Sequence, residues 1–159
     1  MRILVLAVGR LKDGPERDLV VRYAERIQAV GRGLGMSGFD IAELPESRAA
    51  RPADRKREEA AALRARAGDA ALVAFDERGT MTDSDDFARS LAQRRDAGQR
   101  EVAFLIGGAD GLDPALAAAA QERIAFGRMT LPHQLVRVLV AEQLYRAMTI
   151  LSGHPYHRV

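Results

Sequence analysis

The stretch LVRVLVAEQLYRAMTIL, residues 135 to 151, decides how this chain folds. It predicts one long helix after Pro132, with charged side chains only at Arg137, Glu142 and Arg146. A helix that is apolar all round must be buried all round. A terminal helix of a small domain normally keeps one face in water, so we expect this one to be threaded into the fold and covered by a second copy of the chain. Glu142 and Arg146 are four apart and can pair across a turn, for structural or functional reasons alike.

Upstream of this helix, short apolar runs alternate with helical patterns. The pattern predicts strands at 2–8, 39–44, 70–75, 102–106 and 124–126, and helices at 16–30, 53–67, 85–97 and 114–121. Ser84 or Thr82 is the expected cap of the third helix. Such alternation is typical of an α/β fold whose mostly parallel sheet has helices on both faces. The 159 residues show no linker or repeat, which predicts a single domain, residues 1–159. Ligands of such sheets bind beyond the carboxyl ends of the strands, here the loops after residues 75, 106 and 126.

Composition narrows the functional classes. No apolar run approaches the roughly 18 residues of a membrane helix, and the apolar start is broken at Gly9 and Arg10, too early for a secretory signal. We therefore expect no membrane partner. The chain has no cysteine, which excludes disulfides and thiolate metal sites and suits a cytoplasmic protein.

The basic residues are almost all arginine, 22 against two lysines, although the net charge is only +2. This bias has two interpretations. It can reflect genome composition, or it can serve phosphate binding, because the planar guanidinium binds phosphate at two points. A ribonucleoprotein partner is therefore permitted but not established by charge alone.

Two loops carry candidate ligand contacts. LIGGADGL, residues 105–112, matches neither a dinucleotide-binding GxGxxG nor a phosphate-binding GK[ST] loop. Its glycines either make a tight turn or allow a ligand to approach the backbone. FGRMTLPHQ, residues 126–134, leads into the last helix, where His133 is either a surface histidine or a functional one.

The chain ends in SGHPYHRV, residues 152–159, which holds two of its three histidines and one of its three tyrosines. Chain ends usually fray because few contacts offset the entropy of ordering them. Scarce and chemically versatile side chains are therefore concentrated where the chain should be loose. Zinc binding by the three histidines is not expected, because no acidic or thiol ligand has matching spacing.

The residues also carry a resemblance. TLPHQLVRVLVAEQLYRA (130–147), with HPYHR (154–158) after it and LIGG (105–108) before it, resembles the ribosomal RNA large subunit methyltransferase H family of the SPOUT superfamily. The opening MRILVLAVGRLKDG and FDERG (75–79) are similar too, so the resemblance spans the chain. It implies a cytoplasmic homodimer whose C-terminal part forms a deep trefoil knot. It also implies methyl transfer from S-adenosylmethionine to N3 of a pseudouridine in large-subunit (23S) ribosomal RNA. A knot would account for a last helix that is apolar on every side.

The resemblance also implies site residues. Phe75 stands where the family usually has an aliphatic residue of the cofactor site, and it keeps an apolar wall there. The other implied cofactor residues are Gly107, Gly108, Phe126, Gly127, Arg128, Met129, Thr130 and Leu131. The positions near the transferred methyl and the target nucleotide are His133, Tyr156, His157 and Arg158.

A mechanism follows from this chemistry as a hypothesis. N3 of a neutral base carries a proton that must leave, so His133 or His157 could act as a base. Tyr156 could stack on the target base and Arg158 could hold a phosphate. The small net charge favours recognition of the assembled ribosome by shape. Two alternatives stay open: a SPOUT-like methyltransferase acting on transfer RNA, and a noncatalytic ribosome-binding dimer.

Overall fold

A computed structural model describes residues 1–157, and strands and helices alternate along them. In chain order the elements are β1 (Arg2–Val8), α1 (Pro15–Gly31), β2 (Gly38–Leu44), α2 (Pro52–Ala67), β3 (Ala71–Met81), α3 (Ser84–Asp96), β4 (Glu101–Ile106), α4 (Pro114–Ala119), β5 (Glu122–Ala125) and α5 (His133–Ser152). Every predicted element is present; β1 has the predicted bounds, and the other elements differ from theirs by one residue or more at an end. None of the helices in the described part of the chain combines the length and apolar character needed to cross a bilayer.

The five strands form one sheet in the order β2-β1-β4-β3-β5, and all neighbouring strands run parallel. The predicted α/β class with a parallel sheet is confirmed. Because the strands are parallel, their carboxyl ends meet at one edge of the sheet, and the loops that follow β1, β3, β4 and β5 gather there.

Alternate residues of the strands bury their side chains on opposite faces of the sheet. Ile3 and Val5 of β1 pack into a core with α1, α3 and α5, whereas Leu4 and Leu6 pack against α2 and α4. All these side chains are almost fully buried. Both faces are therefore covered, which explains why β1 and β4 read as continuous apolar runs rather than as alternating ones.

The third strand is longer than its apolar run. Phe75 pairs with Ile124 of β5, residues 76–79 leave the ladder, and the pairing resumes at Thr80 and Met81. Four residues are thus inserted as a bulge, which bends a strand and redirects its side chains. The sequence did not predict this extension, because the polar residues after Phe75 are typical of a loop. β5 ends at Ala125, so Phe126 begins the following loop.

The predicted cap of α3 is wrong. Asp83 is the capping residue, and its side chain accepts a hydrogen bond from the backbone N–H of Asp86 at 2.7 Å. The Ser84 hydroxyl instead donates to Gln143 of α5 at 2.9 Å. The short carboxylate of Asp83, one residue before the helix, can accept a hydrogen bond from a free N–H of the first turn. Asp83 is therefore the capping residue.

The last helix is buried on one side only within a single chain. Arg137, Val140, Ala141, Leu144 and Met148 face the core. The opposite side, here called the open stripe, consists of Leu135, Val138, Leu139, Glu142 and Arg146; Leu135 is 44% exposed and the others are half-buried. The expectation of burial all round is therefore not met within one chain, because one domain packs only one face of its terminal helix.

Candidate active site

A cavity of about 670 Å³ opens at the carboxyl edge of the sheet beside β3, β4 and β5. Its floor is apolar and buried, built from Phe75, Ile106, Leu112 and Ile124. Charged side chains stand around it, including Lys56, Asp76, Glu77, Arg78 and Arg123. An apolar floor with polar groups at the mouth is the usual make-up of a pocket for a small organic cofactor.

Phe75 ends the apolar part of β3 and forms one wall of the cavity. Its ring is stacked on that of Phe126, with 5.0 Å between centroids and 7° between planes. It also contacts Phe87 and Phe104 at tilted angles. The two predicted residues Phe75 and Phe126 therefore come together as a stacked pair, held in place by core aromatics behind it.

The glycine loop, residues 107–112, forms a second wall. Neither Gly107 nor Gly108 has a positive φ; Gly111 does, at 80°, and its N–H donates to the Gly108 carbonyl at 3.0 Å. A Cβ on Gly107 would lie 2.6 Å from backbone atoms of Gly111 and Leu112. The loop is therefore a tight turn, and Gly107 is required by its own close approach to the returning backbone.

The 126–131 loop closes the third side. Phe126, Met129, Thr130 and Leu131 line the cavity, and Met129 is 81% exposed. Gly127 and Arg128 belong to the same loop but do not line the cavity. Most of the side chains predicted for the cofactor are thus brought together around one pocket.

His133, the first residue of α5, also lines this cavity and is half-buried. Pro132 precedes it, and the Pro132 carbonyl accepts the N–H of Val136 at 3.0 Å, which starts the helix. The imidazole is therefore carried on a rigid helical turn at the cavity wall, as a group that must act on a bound substrate should be.

The tail residues lie elsewhere. The Tyr156 hydroxyl donates to Glu142 Oε1 at 3.1 Å, and its ring packs edge-on against Tyr145 at 4.7 Å between centroids. The Arg146 guanidinium lies 5.0 Å above the same ring and also donates to Glu142. Burial, followed by hydrogen bonding to Tyr23 and the charge of Glu142, raises the pKa of Tyr156 above its ordinary value.

His157 completes this tail cluster. Its Nδ1 lies 3.4 Å from Arg146 Nη1, and its Nε2, which is buried without a hydrogen-bond partner, lies 3.7 Å from Asp85 Oδ1. Glu142 is nine residues after His133, or about 13 Å along a helix that rises 1.5 Å per residue. Within one chain the predicted catalytic residues therefore do not meet. Arg158 lies outside the described residues.

Arg137 is a buried charge whose structural role was not predicted from the sequence. Arg137 is 2% exposed, and its guanidinium donates to the Val8 and Gly9 carbonyls, at 2.5 and 2.7 Å, and to Glu43 Oε1 at 2.8 Å. The same Glu43 oxygen accepts the N–H of Leu11 at 2.8 Å. Burial lowers the pKa of this guanidinium, and Glu43 opposes the shift. Arg137 thus ties the start of α5 to the end of β1; its isolation in an apolar run was the available signal.

Glu59 of α2 is a second buried charge near the site. It is 7% exposed, accepts the Ser47 N–H at 3.0 Å, and would lie 3.3 Å from a Cβ on Gly108. Burial, followed by the charges of Asp110 and Glu46, raises the pKa of this carboxyl, although the Ser47 hydrogen bond opposes them. The carboxyl therefore supports the glycine loop from behind.

Comparisons with known proteins show the family of this chain. The family model for predicted SPOUT methyltransferases matches residues 1–157. This chain belongs to the SPOUT methyltransferase family. It is 57% identical over 159 residues to the ribosomal RNA large subunit methyltransferase H of Sinorhizobium medicae, covering 99% of each protein. It is 56% identical to the protein of the same name from Rhizobium etli, covering 100% of both.

A solved structure shares the fold of this family member. The probable methylase family protein from Haemophilus influenzae matches 99% of this chain and 70% of its own, with a TM-score of 0.51 and 13% sequence identity. At this identity the likeness concerns the fold alone. Within residues 1–157 no group of three or more histidine, aspartate or glutamate side chains is arranged to hold a metal ion.

Proposed function

We propose that this methyltransferase transfers a methyl group from S-adenosylmethionine to N3 of a pseudouridine in large-subunit ribosomal RNA. The observation that carries the proposal is the cavity at the carboxyl edge, where Phe75, the glycine loop, the 126–131 loop and His133 meet. The full-length relatives named ribosomal RNA large subunit methyltransferase H support the substrate class.

The cavity fits the cofactor chemically. S-adenosylmethionine combines a flat purine, which suits an aromatic wall in which Phe126 is stacked on Phe75, with a charged amino acid end, which suits a polar rim. The glycine loop and the 126–131 loop would supply backbone groups to the cofactor, the latter from Met129, Thr130 and Leu131 at the cavity wall and, by the resemblance, from Gly127 and Arg128 beside it. When bound, the cofactor supplies an electrophilic methyl group on a sulfonium.

The residues of the chain would then align the reactants and remove a proton. An in-line displacement depends mainly on holding the nucleophile and the methyl carbon in position and excluding water. His133 on the cavity wall is one candidate base for the N3 proton, and His157 is the other. Tyr156 would stack on the target base and Arg158 would hold a phosphate.

The position of the tail favours a homodimer with shared sites. Leu135, Leu139, Glu142 and Arg146 lie on one side of α5, because residues three and four apart share a helix face. Tyr156 and His157 dock on the Glu142 and Arg146 end of this open stripe. A second copy that covers the apolar end would bring each tail beside its neighbour's surface. We propose that the tail completes a cavity across this interface.

The remaining parts of the proposal follow the resemblance. They are a trefoil knot in the C-terminal part of a single 1–159 domain, a cytoplasmic location and the assembled ribosome as partner. Recognition by shape suits a chain of net charge +2, since charge alone would hold naked RNA weakly.

The test is to incubate the purified protein with methyl-labelled S-adenosylmethionine and, separately, assembled ribosomes, isolated subunits and transfer RNA. Digestion then identifies the labelled nucleoside. Label on N3 of pseudouridine from ribosomes is the expected result. Label only in transfer RNA would replace the substrate. No label, with no binding of the cofactor, would leave a noncatalytic ribosome-binding protein.

A further inference from the structure

The four residues inserted into β3, Asp76, Glu77, Arg78 and Gly79, form an arm at the mouth of the cavity. We propose that this 76–79 arm holds a backbone phosphate of the RNA strand that carries the target nucleotide, with Arg78 making the contact. The inference rests on the proposed function and adds to it a position for the substrate strand.

The arm is rigid for so short an insertion. The Arg78 N–H donates to Asp76 Oδ1 at 2.7 Å, which closes a turn of the kind that aspartate makes with the backbone two residues on. The Arg123 guanidinium donates to the Arg78 carbonyl at 2.9 Å. A Cβ on Gly79 would lie 2.6 to 2.7 Å from backbone atoms of Arg123 and Ile124, so the arm is pressed directly onto β5. Its backbone is therefore held at both ends and in the middle.

The arm also contacts the 126–131 loop. The Thr130 hydroxyl donates to Glu77 Oε2 at 3.2 Å, across the mouth of the cavity. Asp76 and Glu77 are thus each engaged in a hydrogen bond within the arm or to the loop. Any ligand held by the arm is placed in a fixed relation to the loop that we assign to the cofactor. Such fixed placement is what an in-line transfer needs from its second substrate.

Arg78 is left available for a ligand. Its side chain is exposed at the rim and lines the cavity, and it forms no ion pair within residues 1–157. Lys56 and Arg123 line the same cavity and likewise form no ion pair in that part of the chain. The Arg123 guanidinium donates to the Arg78 carbonyl and the charge of Lys56 acts on Asp110, so of these three cations only the Arg78 side chain has no partner within residues 1–157. A guanidinium in such a position is suited to a phosphate oxygen pair.

The rim position favours the RNA over the cofactor carboxylate as the source of the anion. The polar rim suits the charged end of the cofactor too, but Arg78 is exposed to solvent on this rim, within reach of an RNA strand that lies outside the cavity. Contacts to phosphate fix the register and orientation of a nucleic acid without reading its sequence. One such contact beside the opening would place the target base over the cavity.

The experiment compares Arg78→Gln with Arg100→Gln. Both remove one exposed arginine charge, but Arg100 lies at the amino edge of the sheet, just before β4, at the opposite end from the cavity. Calorimetry gives the affinity for S-adenosylmethionine. Methylation assays give KM for assembled ribosomes, and ribosome binding is measured at several salt concentrations.

Arg78→Gln should raise KM for ribosomes about tenfold or more, because a charged hydrogen bond is lost, and leave cofactor affinity unchanged. The slope of log affinity for ribosomes against log salt should fall by about 0.7, the value for one lost phosphate contact to a single strand. Arg100→Gln should change neither quantity. Arg78→Lys should keep the salt slope, since it keeps the charge.

Equal KM and equal slope in Arg78→Gln and the wild type would overturn the inference. So would a loss of cofactor affinity with an unchanged KM for ribosomes, which would assign Arg78 to the cofactor carboxylate. Failure of the wild type to label ribosomal RNA would instead overturn the proposed function, so the two failures are distinguishable.

Discussion

Gly107 stands where the chain leaves β4 and turns back on itself. Gly107→Ala would press a methyl group to within 2.6 Å of the backbone of Gly111 and Leu112, so the glycine loop would have to shift. We expect a loss of stability of about 1–3 kcal/mol and at least tenfold weaker binding of S-adenosylmethionine. Calorimetry and thermal unfolding measure both. Gly33→Ala is the control, because nothing lies within 4 Å of its added Cβ; equal behaviour of the two variants would contradict the prediction.

Glu59 gives a prediction for the pH dependence of stability. Because burial raises its pKa in the folded state, the folded protein keeps the proton to higher pH than the unfolded chain does. Stability is therefore lost as pH rises from the ordinary glutamate value through the raised one. Glu59→Gln removes this loss and can still accept the Ser47 N–H, so its Tm should exceed that of the wild type at pH 7 and match it at pH 4. Glu25→Gln, at an exposed site, should show no such difference.

At the scale of single residues, the sequence predicted which residues line the cavity but not what each of them does there. Phe75, Gly107, Phe126 and His133 were predicted by resemblance, and all four line one cavity. Their physical roles depend on contacts that the sequence does not show. The sequence left open whether the glycines make a tight turn or admit a ligand; the structure shows a tight turn, in which Gly111 has the positive φ and Gly107 must be small because the returning backbone lies so close. Such close approaches arise between residues that no pattern of spacing relates.

Among the elements, α5 depends on one buried charge. Arg137→Met should destabilise the protein by about 3 kcal/mol, because the Val8 and Gly9 carbonyls lose their donor inside the fold. Arg137→Lys should recover only part of this, since one ammonium cannot match the fork of a guanidinium. Chemical denaturation measures the loss. Arg100→Met, at an exposed position, is the control, and a similar small change in both methionine variants would show that the buried contacts contribute little.

The elements themselves were predictable where one period dominates. Apolar runs gave β1 and β4, and helical spacing gave α1 and α5, to within one or two residues. The bulge of β3 was not predictable, because the sequence from Asp76 to Gly79 is typical of a loop. Only the pairing of Thr80 with Ile124 shows that the strand continues beyond these residues. The cap of α3 was misplaced for a similar reason: the Ser84 hydroxyl has a partner on a distant helix.

For the whole molecule, the open stripe of α5 predicts self-association. Leu139→Asp places a carboxylate in the middle of its apolar end, where a covering copy would have to desolvate it. We expect analytical ultracentrifugation to show a dimer for the wild type and a monomer for the variant. Ala61→Asp adds the same charge at an exposed site on α2, on the opposite face of the sheet, and should leave the dimer intact. A Leu139→Asp protein that stays dimeric would assign the interface to another surface.

The separation of His133 from Tyr156 leads to the last prediction, that each tail serves the cavity of the neighbouring chain. One variant lacks residues 154–159 and keeps its cavity; the other carries Gly107→Ala and keeps its tail. We expect both homodimers to be folded and to methylate poorly or not at all. If tails act across the interface, a heterodimer purified with two different tags joins the intact cavity of one chain to the intact tail of the other, and labelling of ribosomal RNA returns. If each tail serves its own chain, no subunit of the heterodimer holds both parts and it stays as inactive as its parents. Full activity of the truncated homodimer would remove the tail from the site altogether.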